Sequence, residues 1–255
     1  MPDEIPVIEI ADLSFAWKKQ AQPVLNIGSL QVTRGERVFL RGPSGSGKST
    51  LLNLLAGVAL PQSGMLKVLG QDLTALGSAQ RDHFRAHHIG FIFQMFNLIP
   101  YLSVVENVTL PCRFSDKRKH KVLAQADSLE AEAIRLLDHL DMAHADVLHK
   151  PVNELSVGQQ QRVAAARALI GAPELVIADE PTSSLDADRR TAFIDLLFRE
   201  CDNANATLIF VSHDNSLVAP FERTIEFELL NNAVSDQQPK LKAVEPAYCT
   251  KADLK

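Results

Sequence analysis

Nine consecutive residues near the start of the chain have the types and spacing that phosphate binding requires. They run Gly42-Pro43-Ser44-Gly45-Ser46-Gly47-Lys48-Ser49-Thr50 and fill every fixed position of the pattern G-x-x-x-x-G-K-[ST]. Glycines allow a tight curl in which several backbone N–H groups point at one anion, and a helix that starts there adds the positive end of its dipole. In this pattern Lys48 supplies a positive charge to the β and γ phosphates of a nucleotide, and Ser49 offers a hydroxyl to Mg²⁺.

The segments on either side of this phosphate loop have the patterns that such a loop needs. The apolar run Arg37–Arg41 is short enough to be a buried strand, and Lys48–Leu55 contains no helix breaker. The alternative is a glycine-rich turn that binds nothing. It is disfavoured because the motif and its strand–loop–helix context are both complete.

A second apolar run ends in two carboxylates. The run Leu175–Asp179 is followed directly by Glu180. Asp179 could hold the Mg²⁺ shell, and Glu180, one residue further on, could orient and deprotonate a water molecule. A strand followed by an acidic turn is common in isolation, but a phosphate loop needs such a carboxylate, which favours the functional interpretation.

Two more apolar runs also end in polar residues. Residues 89–93 are followed by Gln94, whose amide can contact both a metal-bound water and backbone, and residues 207–211 are followed closely by His213. In open α/β sheets, ligands bind at the edge formed by the carboxyl ends of the strands. We therefore expect these side chains, the two carboxylates and the phosphate loop to meet at one edge, which predicts an ATP site.

A second anion-binding pattern lies far from the first along the chain. Ser156 and Gly158 open an alanine-rich helix, where a serine cap and free backbone N–H groups can bind an anion. One nucleotide does not obviously need two helix N-termini from one chain around its γ-phosphate. This suggests that the second pattern serves a nucleotide held by another copy.

Composition limits the class of protein. The chain has 255 residues, 46% of them hydrophobic, which allows one large domain or a domain with a subdomain. A net charge of −5 argues against a general nucleic-acid binder. Three scattered cysteines offer neither a disulfide frame nor a metal site, and they fit a reducing compartment: Cys112, Cys201 and Cys249.

The acidic start has no apolar region typical of a signal peptide, and no apolar run approaches the ~18 residues of a membrane span. Any work at a membrane is therefore expected to go through a partner.

Two features have competing interpretations. Trp17, the only tryptophan, is by sequence alone slightly more typical of a core or surface aromatic than of a stacking surface for a base. A basic cluster is more typical of a solvated loop than of a lipid-headgroup site: Arg113, Lys117, Arg118, Lys119 and Lys121.

The complete set of motifs, in this order over about residues 7–230, resembles the nucleotide-binding subunits of ABC transporters. The matching motifs are Walker A (Gly42 to Ser49), the Q-loop (Gln94), the signature (Leu155, Ser156, Val157, Gly158, Gln159), Walker B (Leu175–Asp179), the general base (Glu180), the D-loop (Ser183, Ser184, Leu185, Asp186) and the switch histidine (His213). In that family an aromatic at the position of Trp17 stacks on adenine, which raises this interpretation above the alternative.

The resemblance implies a fold, a site and an assembly. The fold is an α/β P-loop NTPase with an ABC-type core, a mixed sheet, a small antiparallel β-subdomain and a helical subdomain at about residues 95–157, followed by an extension over residues 231–255. Ser49, Gln94 and Asp179 are expected to hold Mg²⁺. A head-to-tail homodimer is expected to bind each ATP between one Walker A and the signature of the other copy. Lys48 and that signature's Ser156 would neutralise the γ-phosphate, and His213 would hold phosphate and water in line for Glu180.

Within the family, residues 89–100 and 175–182 resemble the lipoprotein-release and macrolide-exporter type. That likeness implies export through a separate integral membrane permease, with this chain on the cytoplasmic face of the cell membrane. Gln94 would report the nucleotide state to the permease, which would contact residues 96–106. Two alternatives stay open: an ATPase that transmits force to an extracytoplasmic enzyme without transport, and an ABC ATPase acting on DNA or ribosomes. The last is disfavoured because residues 47–155 have no sustained heptads and the chain has one cassette.

Three departures from the family pattern bear on these expectations. Val157 replaces the first glycine of the usual signature, which would weaken the motif only if that position needs a positive φ. Ser184 stands where alanine is commoner, a mild change. The polar, poorly periodic residues from Asn231 onward are expected to be a frayed extension.

Overall fold

The computed structural model describes residues 6–18, 22–183, 185 and 187–235. These residues form two β-sheets. The strands are β1 (Ile8–Phe15), β2 (Leu25–Val32), β3 (Arg37–Arg41), β4 (Ser63–Val68), β5 (Gln71–Asp72), β6 (Ile89–Ile92), β7 (Leu175–Asp179), β8 (Thr207–Val211) and β9 (Arg223–Glu226). Strands of both orientations are present as expected, but each orientation has its own sheet.

The smaller sheet is antiparallel, with strand order β2-β1-β4-β5. One face of β1 is apolar and buried through Ile8, Ile10, Leu13 and Phe15. Its register against β4 shifts between Ala11 and Ser14. A Cβ atom at Gly64, where φ is +88°, would lie 2.3 Å from the carbonyl oxygen of Asp12, so the close approach at this irregularity requires glycine.

The larger sheet is parallel, with strand order β6-β7-β8-β3-β9. Strands β6, β7 and β8 and the centre of β3 are apolar runs, as expected where both faces of a sheet are covered, whereas the edge strand β9 is partly exposed. In β8, Leu208 and Phe210 face one hydrophobic core, and Ile209 and Val211 face the other. The parallel arrangement brings the carboxyl ends of β6, β7, β8 and β3 to one edge.

The helices cover both faces of the parallel sheet. They are α1 (Lys48–Leu55), α2 (Ser78–His88), α3 (Val104–Thr109), α4 (Pro111–Phe114), α5 (Asp116–Leu123), α6 (Leu129–His139), α7 (Ala145–Leu148), α8 (Val157–Leu169), α9 (Ala187–Asn203), α10 (Phe227–Leu230) and α11 (Asn232–Ser235). The antiparallel sheet and α1 share one core with the parallel sheet, and residues of α3 to α9 share the other. Helices α3 to α7 lie within the segment expected to be helical, whereas the domain bounds 7–230 and 95–157 stay predictions.

Two expectations about polar segments are wrong. The basic residues expected in a solvated loop fall largely on α5, where Arg118 is fully buried and donates hydrogen bonds to the carbonyl oxygens of Ile89, Ala168 and Ile170. The frayed extension does not begin at Asn231, which is fully buried, and Ala233 is buried as well. In each segment a buried polar side chain bonds to backbone that is distant in sequence, which a local pattern does not indicate. The remainder of that extension, with Cys249, lies outside the described residues.

No helix among the residues that the structure describes is long and apolar enough to cross a membrane.

Candidate nucleotide site

The phosphate loop joins β3 to α1, as the motif requires. Gly45 and Gly47 have φ angles of +78° and +106°, a backbone region in which side chains other than glycine are strained. Gly47 is the N-cap of α1, and a Cβ atom there would lie 2.9 Å from Leu25 Cδ2. The loop conformation therefore depends on glycine at this position, and it aims the start of α1 at the space above the loop.

Lys48 lies across the phosphate loop. Its Nζ donates hydrogen bonds to the carbonyl oxygens of Gly42 and Pro43, at 2.6 and 2.7 Å. Burial lowers the pKa of Lys48, and the nearby carboxylates of Glu180 and Asp179 oppose that change. The loop thus holds the ammonium group close to the two carboxylates at the end of β7.

A hydroxyl and a carboxylate meet at the mouth of the loop. Ser49 Oγ donates to Asp179 Oδ2 at 3.0 Å. Burial raises the pKa of Asp179, while the hydrogen bond from Ser49 acts in the opposite direction. Among the described residues no group of three or more His, Cys, Asp or Glu side chains could enclose a metal ion. One carboxylate and one hydroxyl suit Mg²⁺, which prefers oxygen ligands and is commonly held by one or two protein groups together with substrate phosphates.

Glu180 and His213 form a hydrogen-bonded pair at the same edge. His213 Nδ1 lies 2.9 Å from Glu180 Oε1, and Glu180 N donates to the carbonyl oxygen of Val211 at 2.9 Å. Glu180 has a φ of +48°, an uncommon value for a residue other than glycine. Such backbone conformations concentrate at functional sites, where the surrounding structure holds them. The pair can bind a water molecule and remove its proton.

One cavity of about 950 Å³ brings the predicted residues together. Its lining includes Trp17, Ser44 to Thr50 of the phosphate loop, Gln94, Asp179, Glu180 and His213. Gly42 and Pro43 are not among the lining residues, but their carbonyl oxygens accept the hydrogen bonds from Lys48. Ser46 Oγ is buried and has no hydrogen-bond partner in the part of the chain that the structure describes, which fits a site that binds an anion.

Trp17 lines the cavity and is partly exposed to solvent. The residue is 45% exposed, and its ring meets that of Phe15 edge-on with centroids 4.9 Å apart. The location in the cavity favours the stacking interpretation over the core aromatic that the sequence alone slightly favours. No sequence pattern indicated four other lining residues: Gln22, Pro23, Val24 and Ala233.

The second anion pattern is not in this cavity. Ser156, Gly158 and Gln159 are absent from its lining. Ser156 is the N-cap of α8, where it exchanges hydrogen bonds with Gln159 in a capping box. Val157 is the first helical residue, half exposed and not among the described residues with positive φ, so its branched side chain causes no backbone strain. Two D-loop residues, Ser184 and Asp186, lie outside the described residues.

Comparisons with known proteins agree on one family. The model of the family described as "ABC transporter" matches residues 25–183. The lipoprotein-releasing system ATP-binding protein LolD of Xanthomonas euvesicatoria pv. vesicatoria is 37% identical over 235 residues, which are 92% of this chain and 88% of that protein. The probable syringafactin export ATP-binding/permease protein SyfD of Pseudomonas syringae is 38% identical over 218 residues, 84% of this chain but 32% of that longer protein.

The fold is also similar to a solved structure with products bound. That structure is a dimeric post-hydrolysis state of the ATP-binding cassette MJ0796 with ADP and Pi. The TM-score is 0.76 at 30% identity, over 89% of this chain and 95% of the other.

Proposed function

The chain belongs to the ABC transporter family of ATP-binding subunits, and we propose that closure of a dimer of this chain on two ATP molecules drives export through a separate permease. Members of this family bind and hydrolyse ATP, form dimers and act together with a membrane permease. The observation that carries the proposal is the single cavity that collects the phosphate loop, Gln94, Asp179, Glu180 and His213 from four strand ends.

In the proposed site the phosphates lie on the curled loop. Lys48 and the backbone N–H groups at the start of α1 stabilise their negative charge. Ser49, Asp179 and Gln94 would hold Mg²⁺, which when bound neutralises charge on the β and γ phosphates. Trp17, which lines the same cavity, stacks on the base. The hydrogen bond between Ser49 and Asp179 supports this assignment because it already places both oxygens together.

Glu180 is the proposed general base. Its carboxylate accepts a proton from the attacking water, and His213, 2.9 Å away, orients the pair and stabilises the γ-phosphate. The signature residues Ser156, Gly158 and Gln159 lie outside the cavity of their own chain, which supports the proposal that they complete the site of a second copy. Closure would then be needed for full activity.

An exposed apolar surface beside Gln94 supports contact with the permease. Phe93, Met95 and Tyr101 are 37%, 82% and 81% exposed, and Phe114 on α4 is 68% exposed. Exposed aromatic and methionine side chains are typical of interaction surfaces. The proposal assigns residues 96–106 to the permease contact and so places the chain at the cytoplasmic face of the cell membrane. Similarity to LolD supports the exporter type.

The test of the site is Glu180→Gln, with Glu130→Gln on the exposed surface of α6 as the matched control. Glu180→Gln should bind ATP, lose hydrolysis by roughly 10²- to 10⁴-fold and accumulate ATP-bound dimers in size-exclusion chromatography. Glu130→Gln should behave as the unmodified chain. Normal hydrolysis by Glu180→Gln would remove Glu180 from its role.

The partner is tested with tagged Glu180→Gln protein expressed in its native cell, solubilised in detergent with ATP, captured and identified by mass spectrometry. Recovery of a membrane protein with few spans and a large external domain would support the exporter type. Recovery of a cell-wall enzyme with that protein would favour force transmission. Recovery of soluble partners or nucleic acid alone would overturn the export proposal and leave the ATPase chemistry intact.

A further inference from the structure

The segment after β9 packs behind the phosphate loop, and one asparagine is at its centre. Asn231 is fully buried and uses all its hydrogen-bonding positions. Its Oδ1 accepts from the backbone N–H groups of Asn26 at 2.8 Å and Ala233 at 3.3 Å. Its Nδ2 donates to the carbonyl oxygens of Val24 at 2.9 Å and Ser46 at 3.2 Å.

These partners come from two segments that line the nucleotide cavity and lie against each other. A Cβ atom at Gly47 would lie 3.3 Å from the carbonyl oxygen of Val24, and Val24 N donates to the carbonyl oxygen of Phe15, whose ring contacts Trp17. Ser46 is in the phosphate loop, Val24 precedes β2, and both line the cavity together with Ala233. The side chain of Asn231 is thus a direct link between the loop that would hold the phosphates and the wall on the side of Trp17. The two groups are separated from it by 185 and 207 residues in sequence, so the link is made only by the tertiary fold.

Phe227 on α10 extends the same support. It is fully buried, and a Cβ atom at Gly42 would lie 3.0 Å from its own Cβ. A Cβ atom at Gly47 would lie 3.5 Å from Phe227 Cε1. The ring and the asparagine amide therefore pack against the loop, and the Asn231 amide bonds neither Glu180 nor His213 among the described residues.

We propose that Asn231 is a positioning residue for ATP binding. It fixes the phosphate loop relative to the segment of Val24, which lies on the side of Trp17. Its loss should weaken the affinity for ATP, because the phosphate loop and the segment of Val24 would no longer be held in one geometry. It should change the turnover of bound ATP much less, because it does not touch Asp179, Glu180 or His213. This inference rests on the proposed nucleotide site.

The informative change is Asn231→Asp, which keeps the shape of the side chain but removes both N–H donors. The carboxylate would face the carbonyl oxygens of Val24 and Ser46, a repulsive arrangement in a buried place. The matched control is Asn107→Asp. Asn107 is also fully buried and bonds four backbone groups, Ile99 N, Ile99 O, Leu102 O and Ser103 O, but does not line the cavity.

Trp17 provides the measurement, because the only tryptophan of the chain lies in the cavity lining. Quenching of its fluorescence by MgATP gives the Kd, and steady-state hydrolysis gives kcat. Both variants should have a lower Tm. Only Asn231→Asp should raise the Kd, by about tenfold or more, with kcat at saturating ATP within about threefold. Asn231→Ser, which keeps one donor, should have an intermediate Kd and remains testable if Asn231→Asp does not fold.

An unchanged Kd in both Asn231 variants would overturn the inference, as would equal Kd changes in Asn231→Asp and Asn107→Asp. Failure of the nucleotide site itself has a different signature. In that case the unmodified chain would show no quenching by ATP, or Lys48→Ala would bind ATP as tightly as the unmodified chain.

Discussion

Arg167 Nη1 donates to the carbonyl oxygen of Asn97 at 2.6 Å. Its Nη2 donates to the neighbouring carbonyl of Phe96 at 2.5 Å, and both of these acceptor residues have left-handed φ angles. Arg167 is on α8, whose N-cap is the signature residue Ser156. Phe96 and Asn97, which carry the two carbonyls, are the second and third residues after Gln94. Burial lowers the pKa of Arg167 to about 10, so the side chain stays charged at neutral pH. The guanidinium therefore ties the signature helix to the turn that carries Gln94.

Arg167→Lys should weaken dimer closure without weakening ATP binding. Lysine keeps the charge but cannot bond both carbonyls with one planar group. In a Glu180→Gln background, the ATP-dependent dimer should form about tenfold less tightly by analytical ultracentrifugation, while the Kd for ATP stays within about twofold. Arg199→Lys, at an exposed position of α9, is the control. A dimer affinity equal to that of the control would show that this contact does not position the signature.

Glu174→Gln should lower stability in a pH-dependent way. Lys117, Lys121 and His88 lie 2.6, 3.4 and 3.3 Å from the Glu174 carboxylate. Burial alone would raise its pKa, but the contact with His88, the hydrogen bond from Lys117 and the lysine charges hold the pKa well below its usual range. Because the folded pKa is depressed, the stabilisation is present above the unfolded pKa and is lost as the pH falls through the folded value.

Urea unfolding measures this effect. At pH 7, Glu174→Gln should lower the free energy of unfolding by about 2 kcal/mol, because it removes a charge-assisted network. The difference from the unmodified chain should shrink as the pH falls below 4.5, the ordinary value for glutamate. Glu130→Gln should show no such convergence. A difference that is constant with pH would assign the loss to packing instead of charge.

Gly90→Ala should destabilise the contact between β6 and α8. A Cβ atom at Gly90 would lie 2.3 Å from the carbonyl oxygen of Ala168, and backbone cannot yield as a side chain can. We expect a loss of about 1–3 kcal/mol or more in thermal or chemical unfolding. Gly28→Ala is the matched control, since no atom lies within 4 Å of its added Cβ. Equal stability of the two variants would mean that α8 packs less closely on β6.

Local patterns predicted much of this molecule. The apolar runs predicted strands β3, β6, β7 and β8, glycine spacing predicted the turn between β3 and α1, and the parallel-sheet rule predicted that Asp179 and His213 share an edge. Each depends on a few consecutive residues. The functional roles assigned to these side chains remain predictions that the variants above can test.

The contacts that the sequence could not predict are made by isolated polar side chains with distant backbone. Arg167 bonds carbonyls 70 and 71 residues away, and Asn231 bonds the phosphate loop across 185 residues. Every residue has the same backbone carbonyl, so no sequence pattern indicates which arginine or asparagine will bond to a given one. Asn231 also begins a mostly polar run without periodicity, which is why its segment resembled a frayed extension.

The order of strands in the parallel sheet has a consequence for biosynthesis. β3, which leads into the phosphate loop, pairs with β8 and β9, and Asn231 closes the loop from behind. At about 5–20 residues per second, the ribosome needs roughly 10–40 s to add the 185 residues between Ser46 and Asn231. During that time the loop has been synthesised but its neighbouring segments have not, so nascent chains stalled before β8 should not be retained on ATP-agarose, whereas the released full-length chain should be.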